Sequence, residues 1–103
     1  MTATPHRAIR PPHPGAVLRN TVLPALKMSP LQAARDLGIS PQMLRKILAE
    51  QVSITPEAAV RIGKFCGNGA EVWLNMQQAV DLWDARQKLA GELAKIPTPK
   101  AAA

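Results

Sequence analysis

The chain has 103 residues, of which 47% are hydrophobic and 3% aromatic, with one cysteine and a formal charge of +6. That length holds one domain and not two, and one cysteine, Cys66, excludes an internal disulfide. No apolar run approaches the roughly 18 residues of a membrane span, and the N-terminus lacks the apolar stretch of a signal peptide, so the reading is a cytoplasmic protein with a core of Leu, Ile, Val, Ala and Met.

Residues 1–12 are proline-rich and basic with little to pack, and are expected to form a flexible arm. A helix-turn-helix domain with a C-terminal dimerisation helix is expected over 13–96, and a disordered tail over 97–103. The first helix is predicted over 14–23, with Val17, Leu18 and Val22 on one face and Pro24 as its stop. Three hydroxyl–proline pairs follow: Ser29-Pro30, Ser40-Pro41 and Thr55-Pro56. A hydroxyl at the N-cap accepts an orphan backbone N–H, and proline at the first helical position gives up nothing because its N–H would be unpaired. Each pair therefore marks a helix start. The second helix covers 30–37, with Leu31, Ala34 and Leu37 inward and Gln32 reaching back to complete a capping box. Gly38 suits the left-handed turn that ends it. The third helix covers 41–49. The fourth covers 56–65, with Ala59, Ile62 and Phe65 inward, and Gly67-Asn68-Gly69 breaks it. The last covers 70–95, with Val72, Trp73, Met76, Ala79, Val80 and Trp83 on one stripe. The fold class is thus all-α with five helices, the C-terminal one being the longest.

Charge is one-sided along the chain. Arg7, Arg10, Arg19, Lys27, Arg35, Arg45 and Lys46 meet a single acid, Asp36, before Glu50; from Glu50 onward, acids and bases balance. A basic field of this kind points to a polyanion, either nucleic acid or an anionic membrane.

The second and third helices, joined by Gly38-Ile39-Ser40, have the form of a helix-turn-helix. Ala34 is small where the helices must cross closely, and Ile39, Leu44 and Ile47 are apolar where the third helix must be pinned to the second. The outer face of the third helix then carries Gln42, Met43, Arg45, Lys46 and Ala49. Glutamine pairs with adenine, arginine with guanine, and methionine touches a thymine methyl. Ser40 lies at a helix N-terminus, where phosphate binds readily. The competing reading is an ordinary solvated basic face. The apolar side is fully used by the helix pair, and the charge excess ends at this helix, so the reading face is preferred.

The core resembles the DNA-binding domain of lambda-repressor-like regulators. More narrowly, "HPGAVLRNTVLPALKMSPLQAARDLGIS" and "AEVWLNMQQAVDLW" resemble the HigA (VapI-type) antitoxins. The match is carried by His13, Pro14, Gly15, Leu18, Ala34, Leu37, Gly38, Ser40, Gln42, Trp73, Leu74, Asn75, Gln77, Leu82 and Trp83. It implies a homodimer that binds a palindromic operator in double-stranded DNA, represses its own operon and neutralises a RelE-like, mRNA-cleaving toxin. That resemblance carries DNA reading onto Ser40, Gln42, Arg45 and Lys46; Met43, on the outer face of the third helix, and Ser29 and Gln32, at the start of the second, are expected to join them in binding DNA. Val72, Trp73, Met76, Val80 and Trp83 are expected at the dimer interface. The sequence departs from the family pattern in three places. Pro30 stands where glutamine usually opens the second helix, Ala49-Glu50 stands where Asn-Gly is common, and the first helix lacks the family's acids.

His6, His13 and Cys66 have no metal-ligand spacing, and no nucleophile–base set stands out. No cofactor, no metal and no enzymatic activity are expected. Two other functions fit the same residues: a stand-alone helix-turn-helix regulator without a toxin, and a helical module that binds protein.

Overall fold

The computed structural model describes residues 9–100. Residues 1–8 of the expected arm and 101–103 of the expected tail lie outside the described residues. Every regular element among the described residues is helical. A first helical segment consists of α1 (Pro14–Val17), a π-helical turn (Leu18–Val22) and α2 (Leu23–Leu26). Then come α3 (Pro30–Leu37), α4 (Pro41–Leu48), α5 (Pro56–Cys66), α6 (Ala70–Lys88) and α7 (Ala90–Leu93). No described helix is long and apolar enough to cross a membrane.

The hydroxyl–proline pairs cap α3, α4 and α5 as their chemistry requires. Ser29 Oγ accepts from the Gln32 N–H, Ser40 Oγ from the Met43 N–H, and Thr55 Oγ1 from the Ala58 N–H, each at 3.1 Å. The reciprocal half of the first capping box is absent. Gln32 Nε2 donates instead to Asp36 Oδ1 at 3.0 Å, a charged acceptor one turn further on.

Pro24 does not end the first helical segment; the segment runs on to Leu26. A proline inside a helix leaves the carbonyl four residues earlier without its donor and crowds it. The π turn resolves this locally: the Leu23 N–H bonds to the Leu18 carbonyl, five residues back, and the widened turn accommodates the ring. Lys27 closes the segment in the left-handed region at φ 53°.

In α3 the buried residues are Ala33, Ala34 and Leu37, while Leu31 is 57% exposed and not inward as its spacing suggested. At 100° per residue, Leu31 lies about 60° from Ala34, 120° from Leu37 and 160° from Ala33, beyond the edge of the stripe they form. Two small alanines let α3 and α4 cross closely, which leaves no room for a leucine between them. Gly38, at φ 74°, donates its N–H to the Ala34 and Arg35 carbonyls and turns the chain into α4.

The long final helix is shorter than its periodicity predicts. It breaks at Leu89 (φ −99°, ψ 9°), beyond the last buried side chain, Val80, where no core contact rewards further turns. α6 therefore spans about 28 Å rather than 39 Å.

The core joins Leu18, Leu44, Ile47, Ala59, Ile62 and Trp73 in one cluster. Two buried side chains of α6, Trp73 and Gln77, fasten its surroundings through hydrogen bonds. Trp73 Nε1 donates to Asn68 Oδ1 at 2.7 Å in the α5–α6 turn. Gln77, 3% exposed, accepts the Ile54 N–H at 2.9 Å and donates to Ser53 Oγ and Asp81 Oδ1. The segment between α4 and α5 is thereby tied to α6.

Candidate nucleic-acid interface

α4 is fixed along one side. Its apolar face, Leu44, Ile47 and Leu48, is buried. Against the Ile47 backbone on that side stands the N-terminus of α1, capped by His13. The buried imidazole accepts the Gly15 N–H at Nδ1 (2.9 Å), which leaves Nε2 to donate to the Val52 carbonyl at 3.0 Å. The neutral Nε2–H tautomer satisfies both bonds. Gly15 permits the close approach: a Cβ there would lie 2.7 Å from the Ile47 carbonyl carbon and nearer still to its oxygen. The His-Pro-Gly entry is thus a device for seating α1 on the backbone of α4.

With one side locked, α4 turns Gln42, Met43, Arg45, Lys46 and Ala49 to solvent. Gln42, Arg45, Lys46 and Ala49 line one shallow depression with Gln51. Met43 is 44% exposed on the same helix but outside the depression. Ser40 is exposed at the N-cap with its oxygen engaged by the Met43 N–H, and its own O–H is still a donor. Ser29 and Gln32 are exposed at the first turn of α3, also outside the depression. Among the described residues neither Arg45 nor Lys46 makes an ion pair.

Part of the basic field read from the sequence is spent within the chain. Arg10 holds Asp84 through two 2.8 Å bonds, from Nε to Oδ1 and from Nη2 to Oδ2, and reaches Glu50 Oε1 at 3.2 Å. Arg19 donates to the Leu48 carbonyl at the end of α4 and reaches Glu50 Oε2 at 3.4 Å. The paired arginine holds the Asp84 carboxyl below the usual carboxylate range, and the same bonds raise the Arg10 guanidinium. Arg10, which composition places in a flexible arm, is bound at both ends of its fork. Arg61, donating to the Leu37 carbonyl at 3.0 Å, likewise serves as a helix cap for α3.

Gln51, Glu50 and Asp84 are site-edge residues that periodicity did not single out. Gln51 follows the helix, and it joins the α4 face because Glu50 adopts φ 61° and reverses the chain. The common Asn-Gly at this place in the resembled family was the available signal, since glycine takes that conformation at no steric cost.

The expected dimer stripe divides. Trp73 and Val80 are 2% and 0% exposed and belong to the core, so neither is open to a second copy. Val72 is 42% exposed, and Met76 and Trp83 are half-buried. The apolar positions of α6 form two faces, not one. Trp73, Gln77 and Val80 point inward, and Val72, Met76, Ala79 and Trp83 lie about 100° further round. Cys66 is half-buried beside Phe65, and burial pushes its thiol up, away from the reactive thiolate.

No protein-family model matches the chain. Virulence-associated protein I of Dichelobacter nodosus is 40% identical over 75 residues, covering 73% of this chain and 69% of that protein. Antitoxin HigA-1 of Vibrio cholerae serotype O1 is 31% identical over 90 residues, covering 87% and 84%. Among solved structures, Pseudomonas aeruginosa antitoxin HigA with the higBA promoter superposes with a TM-score of 0.83 at 31% identity, over 88% of this chain and 99% of that one.

Proposed function

The chain belongs to the HigA antitoxin family of DNA-binding helix-turn-helix regulators, and from that premise we propose that it binds operator DNA as a homodimer, represses its own operon and neutralises a RelE-like mRNA-cleaving toxin in the cytoplasm. The observation that carries the DNA part is the division of α4: one side is clamped to α1 and α3, and the other presents Gln42, Arg45 and Lys46, which make no ion pair among the described residues. In a helix-turn-helix the second helix enters the major groove while the first crosses the backbone. Gln42, Met43 and Arg45 then meet base edges, Lys46 and Ser40 meet phosphates, and Ser29 and Gln32 lie where α3 meets the backbone. Gln51 extends the same surface.

Dimerisation is proposed on the outer face of α6, through Val72, Met76 and Trp83. Two copies would place their α4 helices about 34–36 Å apart, one turn of DNA, as a palindromic operator requires. The domain is taken as residues 13–96, with basic arm and tail outside it. Selection from genomic fragments tests the DNA proposal. Enrichment of a palindrome close to the gene itself supports autorepression, and no enrichment at low salt would leave a protein-binding module in its place.

A second reading is favoured by one observation: no acid lies on α1, the π turn or α2 to meet a basic toxin, in a chain of net charge +6. A regulator without a toxin partner fits that surface. Co-purification with the product of an adjacent small gene supports the antitoxin, and recovery of no such protein supports the stand-alone regulator.

A further inference from the structure

We infer that Glu50 restrains DNA affinity: it holds Arg10 and Arg19 in a neutral cluster at the edge of the reading surface, where they would otherwise meet phosphate. The inference rests on α4 being the DNA-reading helix. Glu50 sits at the exit of α4, between Ala49 and Gln51, both of which line the depression on the reading face. Its backbone is in the left-handed region at φ 61°, which glycine adopts freely and glutamate does not. The side chain present at this unfavourable position contacts both arginines, Arg10 Nη1 at 3.2 Å and Arg19 Nη2 at 3.4 Å.

Charge around the cluster balances. Arg10 and Arg19 face Glu50 and Asp84, so four ionised groups contribute no net charge. All four side chains keep contact with water, from 27% exposure for Glu50 to 47% for Asp84. A phosphate could therefore compete for the same guanidinium groups. In the wild type the carboxylate of Glu50 does two things at once: it occupies the arginines, and it sets a negative charge beside the incoming DNA backbone. Arg19 is the more readily released of the two, because Arg10 retains its two-bond fork to Asp84 when Glu50 is neutralised. Arg19 would keep its bonds to the Leu48 carbonyl and to Asn20 Oδ1 and turn Nη2 outward.

The test is Glu50→Gln, which preserves shape and removes charge, measured on the full chain beside wild type. Binding to a duplex recovered by genomic selection and to a scrambled duplex is titrated between 50 and 200 mM salt. Each phosphate newly contacted steepens the slope of log affinity against log salt by about 0.9, so the affinity ratio across that range grows roughly 3.5-fold per contact. Glu50→Gln is expected to bind both duplexes more tightly at 50 mM, with one such increment and an unchanged preference between them. Glu50→Gly, which also relieves the backbone, is expected to show the same slope, and thermal melts establish that both variants are folded. Equal slopes for Glu50→Gln and wild type, or weaker binding by both folded variants, would overturn the inference. Failure of the DNA reading has a different signature: wild type itself would bind neither duplex, and both proposals would fall together.

Discussion

Gly15→Ala is the perturbation most directly read from the structure. The new methyl group would stand 2.7 Å from the Ile47 carbonyl carbon, closer to its oxygen, and 3.2 Å from His13 Nδ1, against 3.4 Å for ordinary contact. Neither neighbour can rotate away: one is helix backbone, and the other is a ring held by two hydrogen bonds. Overpacking costs about 1–3 kcal/mol where side chains can yield; with backbone against backbone we place the loss at about 3 kcal/mol. For a domain of this size that lowers Tm by roughly 12–24 °C. Circular dichroism melts of Gly15→Ala and Gly91→Ala make the comparison. An added Cβ at Gly91 meets nothing within 4 Å, so that variant is expected to melt within about 2 °C of wild type. A Gly15→Ala Tm within about 4 °C of wild type would refute the claim that α1 rests on the backbone of α4.

Other changes have equally definite outcomes. Gln77→Ala strands the buried Ile54 N–H, and is expected to destabilise by about 2–4 kcal/mol in urea unfolding through a lost side chain and an unpaired donor. A loss under about 0.5 kcal/mol would show that Gln77 does not secure the segment after α4. Lys27→Gly removes a non-glycine residue from φ 53° and should raise stability by about 0.5–1 kcal/mol, a gain that the same titration reads directly. The Asp84 carboxyl is lowered in the folded chain, so its contribution is present above its ordinary value of 3.8 and disappears as pH falls through the lower folded value. Urea titrations of wild type and Asp84→Asn should therefore differ at pH 5, with the gap narrowing as pH is lowered below 3.8; a gap that does not narrow in acid would disprove the linkage.

Helix starts were legible because the hydroxyl and proline of each N-cap are adjacent in sequence, and the bond they make closes within three residues. Ser29, Ser40 and Thr55 needed no tertiary information. The interhelical turn was legible for the same reason, since Gly38 and Ala34 act over one turn. What escaped depended on partners far along the chain. Leu31 and Ala33 compete for the inward side of α3, and the closeness of α4 decides for the alanine. Trp73 and Val80 share a broad apolar sector of α6 with Val72, Met76 and Trp83, and only the position of α5 divides the core side from the outer side. Arg10 and Arg19 count as free positive charge until the fold brings Asp84 and Glu50 to them. Pro24 reads as a stop under local rules that describe an α-helix, and the chain escapes them by widening to a π turn just ahead of the ring.

Base reading by the exposed face of α4 can be tested directly. The decisive measurement is the affinity of wild type and Arg45→Ala for a selected duplex and for its single base-pair variants, at fixed salt. Arg45→Ala should lose about 1–3 kcal/mol on the selected duplex and become indifferent to one base pair per half-site, while its Tm stays within about 2 °C of wild type. An Arg45→Ala protein that keeps both the affinity and the full base preference of wild type would place the reading surface elsewhere on the molecule.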